Sequence, residues 1–226
     1  MKKNSYSSLG RYLLAMVLIA PWMAGGAEIE IIDKIVAVVG DEALTASEVD
    51  RQVAFEAFDS EIPIDLSADH RRRALSLLIQ RLLVRREMEL AGLPGATAGQ
   101  VSAQLKRSEQ TFGGSVRFRN LLSRYGLGKE DAAAFLQEQL NFERFRDLRF
   151  RTGIVIPREE VEDFYKREYG SRQGAPNSPK MEDVYRQIED ELTEQRVEPL
   201  FNDWLQQVRS RTRIVIKDES LRGARF

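Results

Sequence analysis

The apolar residues of this chain recur at helical spacing along most of its length. The clearest run starts after Ser67, its expected cap, and ends at Gly92 and Pro94. Its apolar positions recur every three to four residues in a wide stripe, which predicts a helix that is buried on more than one side. They are Leu75, Leu77, Leu78, Ile79, Leu82, Leu83, Val84 and Met88.

Six further helices are predicted from the same period and from capping residues. Thr45 with Glu48, and Thr97 with Gln100, have the spacing of the reciprocal capping box. We expect Pro199 to kink or split the last helix, because proline lacks a backbone N–H. The predicted spans are 45–58, 97–112, 115–125, 128–150, 158–169 and 180–212.

Three β-branched apolar runs interrupt the helical pattern, at residues 31–39, 154–156 and 214–216. A turn at Gly40-Asp41-Glu42 and a short return strand at Ala43-Leu44 follow the first run. Because short isolated strands are unstable, we expect the first and last runs to pair and to join the two ends of the chain. The sequence therefore predicts a mainly α fold. It is a multi-helix core with short β fragments at its start, middle and end, and its C-terminal helix and strand pack back on the N-terminal body.

The first 27 residues have the layout of a secretory signal. Basic residues come first, an apolar run at 12–23 follows, and the small residues 24–27 end the segment. The apolar run is shorter than the roughly 20 residues that a membrane-spanning helix needs. An uncleaved N-terminal anchor is the alternative. We expect cleavage and export, with a mature chain that starts near Glu28 and keeps no membrane span.

Charge and composition argue against several classes of function. Without Lys2, Lys3 and Arg11, 31 basic residues remain against 35 acidic ones, a formal net charge of about −4. Such an acidic balance argues against a nucleic-acid partner. The chain has no cysteine, and His70 is its only histidine, so thiol chemistry and multi-histidine metal sites are excluded and Ser–His catalysis is a poor fit. We predict no catalytic residue, no metal and no cofactor.

Three segments resemble the SurA-like family of periplasmic chaperones. Residues 33–50, DKIVAVVGDEALTASEVD, resemble the opening of its N-terminal domain. Trp204-Leu205 together with the run at 214–216 resembles its closing helix and strand. Residues 157–165, PREEVEDFY, resemble the helix that leads into a parvulin prolyl-isomerase domain in that family. Here the only linker, 170–179, is far too short to hold such a domain.

The resemblance implies a domain order and a function. Residues 28–169 would form the N-terminal chaperone domain, 180–217 would complete the same core, and 218–226 would be a frayed tail. The implied function is that of an ATP-independent periplasmic holdase for unfolded exported or outer-membrane proteins. A dedicated assembly subunit that clamps one exported partner is the alternative, and a prolyl isomerase is disfavoured by the missing domain. The short linker also permits a domain-swapped homodimer.

Unfolded chains are held by exposed apolar and aromatic area within a charged surround. Phe112, beside Gly113, and Phe150, between Arg149 and Arg151, are expected to be the most exposed aromatic residues. The alternative is that these side chains are ordinary core residues at helical spacing. The candidate peptide-binding residues are Met88, Phe112, Phe118, Tyr125, Phe142 and Phe150.

Overall fold

The computed structural model describes residues 33–170 and 179–223, which form seven α-helices and one three-stranded antiparallel sheet. The predicted mainly helical fold class is confirmed. The predicted signal at 1–27 lies outside the described residues, as does linker segment 171–178. The strands β1 to β3 are Ile35–Val39, Glu42–Thr45 and Ile214–Ile216. The helices α1 to α7 are Ala46–Asp59, Ala68–Leu90, Ala98–Thr111, Ser115–Arg124, Lys129–Arg146, Arg158–Tyr169 and Met181–Arg211.

The sheet has the order β2-β1-β3, so the strand near the C-terminus pairs with the first strand, as predicted. Val38 faces Val215 in this pairing and faces Ala43 in the hairpin with β2. The hairpin turns at Gly40, whose φ of +64° lies in the left-handed region that glycine adopts without strain. The Gly40 N–H donates to the carbonyl of Arg213 at 2.8 Å, which adds a second tie between the two ends.

The main core surrounds α2, as its wide apolar stripe predicts. Leu75, Ile79 and Leu83 are fully buried there against β1 and the C-terminal half of α7. The aromatic side chains of Phe145 and Trp204 lie in the same core, with ring centroids 4.8 Å apart. The first and last strands of the described residues therefore pack on one core and belong to one body.

Two smaller apolar clusters lie beside the main core. One joins the C-terminal half of α1 to α3, α4 and the first half of α5, around Phe118 and Leu122. The other joins α6 to the N-terminal half of α7, around Val161 and Ile188. The α6–α7 pair thus carries an apolar cluster of its own, at the place where the resembled family inserts isomerase domains.

The capping boxes follow the sequence prediction. The Thr45 hydroxyl accepts from the Glu48 N–H, and the Glu48 carboxylate accepts from the Thr45 N–H at 2.8 Å. Thr97 and Gln100 form the same reciprocal pair at the start of α3. Ser67 occupies the N-cap position of α2 but makes no capping bond; its hydroxyl lies 3.0 Å from the Nδ1 atom of the nearby histidine.

Two other predictions need correction. Residues 154–156, predicted as a β fragment, form no strand and belong to the irregular connection that precedes α6. Ile156 is buried and Ile154 is partly buried against the apolar clusters, while the Val155 carbonyl accepts from Arg196 at 2.7 Å. Of the two effects predicted for Pro199, the split is wrong, because α7 is one helix from Met181 to Arg211, and the kink stays a prediction.

The prediction of a frayed tail is wrong for residues 218–223. A 3₁₀ turn at Glu219–Leu221 follows β3, and Leu221 is only 1% exposed because it packs into the main core beside α2. The Lys34 ammonium lies 2.6 Å from the Asp218 carboxylate, which also accepts from the Ser220 N–H at 3.0 Å. These hydrogen bonds, that to Lys34 above all, lower the pKa of Asp218 to about 2.

The Asp218→Asn variant tests this tie between the chain ends. A carboxyl whose pKa falls on folding stabilises the fold above its ordinary pKa and loses this effect as the pH falls toward its folded value. We expect the variant to melt about 2 °C below the wild type at pH 7, since an exposed pair contributes little. The gap should close as the pH falls from about 4 to about 2, which thermal melts across this range would measure.

Asparagine at position 218 keeps the acceptor for Ser220 and removes only the charge. The matched control is the same substitution in a Lys34→Gln background, where the ammonium that pairs with Asp218 is absent. In that background, Asp218→Asn should have a smaller effect at pH 7. A gap between variant and wild type that persists unchanged at pH 2 would contradict the assignment.

Candidate functional site

Three of the six candidate peptide-binding residues are core residues. Met88, Phe118 and Phe150 are 4%, 1% and 9% exposed, so the prediction that they supply exposed apolar surface is wrong. For Phe150 the reason is a π-helical turn at Asp147–Arg151, which continues α5 and places this ring among Phe145, Phe201 and Trp204.

The other three candidates are partly buried and do not share a surface. Phe112 and Tyr125 pack around Phe58 in the cluster of α1, α3 and α4, with centroid distances of 4.8 and 5.9 Å. Phe142 lies against the main core, 5.4 Å from Phe201. The six residues are therefore divided between two cores, and they do not form one peptide-binding site.

A cleft of about 240 Å³ lies open to solvent between the β hairpin, α1, α2 and α5. We call it the hairpin cleft. Its apolar wall consists of the partly exposed Leu78 and Phe135, backed by the buried side chains of Leu44, Phe55 and Leu82. Its charged residues include Glu42, Arg51, Arg81, Arg85, Asp131 and Glu138.

The aromatic part of the hairpin cleft is a stacked pair. Phe55 on α1 and Phe135 on α5 lie with centroids 4.4 Å apart and planes at 17°. The Arg81 guanidinium, from α2, lies over the Phe135 ring at 4.7 Å from its centroid. Three helices thus each contribute one flat group, and the cleft presents apolar faces beside a cation.

Most charges of the hairpin cleft are paired with one another. Arg51 lies 3.4 Å from Asp131, whose carboxylate also caps α5 by accepting from a backbone N–H. Arg85 bonds Glu42 and lies 3.5 Å from Glu138. Burial opposes the charge on Arg85, but these two carboxylates outweigh it and raise the pKa of Arg85. The charged rim is therefore neutralised locally over most of its length.

Arg81 has a different environment. Its Nη1 donates to Oε1 of Gln52 at 3.0 Å, and Nε2 of Gln52 donates to Glu56 at 3.0 Å. Burial lowers the pKa of Arg81, against the opposing fields of Glu138 and Glu56. Among the described residues, no carboxylate lies within 4 Å of this guanidinium.

The sequence analysis missed the hairpin cleft, although part of its signal is visible in α2. Leu78 with Leu82 and Arg81 with Arg85 are two pairs at i, i+4 spacing, so an apolar row and a cationic row lie side by side on one helix. Such a mixed face is typical of a groove edge as well as of a solvated surface. Sequence spacing alone does not distinguish the two.

No protein-family model matches the chain, and no curated protein matches it significantly. The resemblance to the SurA-like family therefore stays a prediction. Within residues 33–170 and 179–223, no group of three or more acidic or histidine side chains could hold a metal ion. None of the helices in these ranges is long and apolar enough to cross a membrane.

The bond between Gln52 and Arg81 gives a stability prediction. Gln52 is buried, and its amide is the hydrogen-bond partner of a partly buried guanidinium. Removing one partner leaves the other unsatisfied, so we expect Gln52→Leu to lower the free energy of unfolding by about 1–3 kcal/mol. Urea unfolding can be followed by the fluorescence of Trp204, the only tryptophan after residue 27.

Replacing both partners separates this effect from simple packing changes. The double variant Gln52→Leu, Arg81→Met should recover most of the lost stability, because neither polar group is then left without its partner. Strictly additive losses in the double variant would show that the two side chains are not coupled.

Proposed function

We propose that this protein is an ATP-independent chaperone that holds unfolded exported polypeptides, with the hairpin cleft as a contact site for apolar segments. The observation that carries the proposal is the partly exposed Phe135 ring, stacked on the buried Phe55 and open to a cleft with a charged surround. The signal-like segment 1–27 and the SurA-like opening and closing motifs support a periplasmic location.

The apolar wall supplies the attraction. Contacts of Phe135 and Leu78, the two partly exposed residues of the wall, with an apolar side chain remove apolar area from water, which favours binding without any fixed sequence. The wall is built on helices that pack into two different cores, so the cleft is preformed. A preformed surface loses little conformational entropy when it binds.

The ion-paired residues around the hairpin cleft keep its apolar wall soluble. Arg51 with Asp131, and Arg85 with Glu42, place both signs of charge beside the apolar wall. A mixed rim opposes stacking of one cleft against another copy without adding a strong net charge that would reject polypeptides of one sign.

A second apolar segment offers further contact area. Ile62, Ile64 and Leu66, in the connection between α1 and α2, are each about half exposed. They alternate with Pro63 and Asp65, so this segment presents apolar side chains without a continuous apolar run. Several separate small contacts suit an extended, unfolded client.

A dedicated assembly subunit is the second candidate function. The specific observation in its favour is the small size of the hairpin cleft, about 240 Å³, which holds a few side chains of one motif. A protein that clamps one partner would form a tight complex with it and show no effect on unrelated unfolded proteins.

Aggregation suppression tests the proposal. The chain from Glu28 is mixed without ATP with diluted, unfolded clients, including an outer-membrane β-barrel protein, and light scattering is followed. We expect suppression at near-stoichiometric ratio on several unrelated clients. Phe135→Ala should raise the concentration needed about five- to tenfold, because it removes one ring of the stack.

The matched control is Leu90→Ala, at an exposed apolar residue on α2 outside the cleft lining. This variant should suppress aggregation like the wild type. A folded wild-type protein that suppresses no client would overturn the holdase, and an equal loss in both variants would overturn the role of the cleft.

A further inference from the structure

The hairpin cleft contains one cation without a carboxylate partner. Arg51 and Arg85 are each ion-paired with acidic side chains of the cleft itself. Arg81 has the neutral amide of Gln52 as its hydrogen-bond partner and the face of Phe135 as its stacking surface. Among the described residues that line the cleft, Arg81 is thus the arginine whose charge is not neutralised by direct contact.

The acidic side chains around Arg81 already have hydrogen-bond or ion-pair partners of their own. Glu138 lies 3.5 Å from Arg85, and Glu56 accepts a hydrogen bond from Gln52. Glu48 is occupied in the capping box of α1. Glu138 and Glu56 act on Arg81 through their electrostatic field and do not contact it, so an incoming anion would not have to displace a bound carboxylate.

The guanidinium is also held in place before any ligand arrives. A guanidinium carries five N–H donors, and the structure gives Arg81 one hydrogen bond, to Gln52. The bond at Nη1 and the stacking on Phe135 restrict its orientation. The remaining donors suit a carboxylate, which pairs with arginine through two parallel hydrogen bonds.

An aromatic or large aliphatic side chain next to that carboxylate would reach the apolar wall. The Arg81 guanidinium and the Phe55–Phe135 stack are in direct contact, so the cationic and apolar subsites are adjacent. Adjacent subsites require the two matching groups to lie close together in the ligand.

We propose that the hairpin cleft selects polypeptide segments that carry a carboxylate next to a large apolar side chain, with Arg81 as the residue that recognises the carboxylate. This inference rests on the proposed function, because it names the preferred segments of the same site. It assigns the attraction to the Phe55–Phe135 wall and the selectivity to Arg81.

The test uses two fluorescent peptides that differ at one position. One carries Phe followed by Asp, the other Phe followed by Asn, in an otherwise identical neutral peptide. Fluorescence anisotropy gives the Kd of each. We expect the wild type to bind the acidic peptide about tenfold more tightly, because a charge-assisted bond to arginine is stronger than a neutral one. The preference should shrink at high salt.

Three variants test whether Arg81 causes the tighter binding of the acidic peptide. Arg81→Gln should bind both peptides equally, with a Kd close to that of the wild type for the Asn peptide. Arg81→Lys should keep part of the preference, since lysine retains the charge without the bidentate geometry. Arg73→Gln is the matched control, because it removes an exposed arginine of the same helix α2 that lies outside the cleft lining, and its preference should remain about tenfold.

The outcomes separate the two proposals. A wild type that binds neither peptide overturns the hairpin cleft as a client site. A wild type that binds both equally overturns the selectivity and leaves the holdase standing. A tenfold preference that survives in Arg81→Gln overturns the assignment to Arg81. If Arg81→Gln fails to fold, Arg81→Lys and the wild-type peptide pair still decide the question.

Discussion

The pairing of β1 with β3 is the contact on which the rest of the structure depends. It joins residues that are more than 170 positions apart, and it places β1 between two partners, so that Val36, Ala37 and Val39 are completely buried. Residues just after β3 add to this contact, because the Lys217 N–H and the Asp218 N–H both donate to the Val36 carbonyl of β1. Short strands gain stability only when three or more share an apolar face that packs on a helix. Here that helix is α2, and the closure of the chain ends completes the core around it.

This closure leaves α2 with two different surroundings. Ile79 and Leu83 face the main core, whereas Leu78, Arg81 and Arg85 line the hairpin cleft. The β hairpin that the C-terminal strand holds in place forms another wall of the same cleft. The candidate site therefore forms as a consequence of the β1–β3 pairing that closes the core around α2. Its shape depends on the β1–β3 pairing, although no residue of β3 lines it.

Local signals in the sequence predict the elements well and the exposure of single residues poorly. Capping at Thr45 and Thr97 depends on side chains three positions apart, so sequence spacing is sufficient to predict it. Exposure depends on which helix packs against a residue, and this information is not local. Phe118 and Phe135 both stand at helical spacing, yet the first is enclosed and the second borders the cleft. The arginines beside Phe150 suggested exposure, but the Arg149 guanidinium lies 5.8–5.9 Å from the ring centroids of Phe145, Phe150 and Trp204, and the Phe150 ring is buried.

A weak bias for acidic segments is compatible with holding many different clients. Affinity for unfolded chains comes from apolar area, which almost every exported polypeptide offers, whereas selectivity is a difference between affinities and can be added by one residue. A cleft in which every charge were paired would not distinguish acidic from neutral segments. A cleft with several unpaired cations would bind any anion and would repel basic segments. The one guanidinium that Gln52 and Phe135 hold in place lies between these limits. In the proposed function it would bias the choice among segments of one client without deciding whether the client is bound.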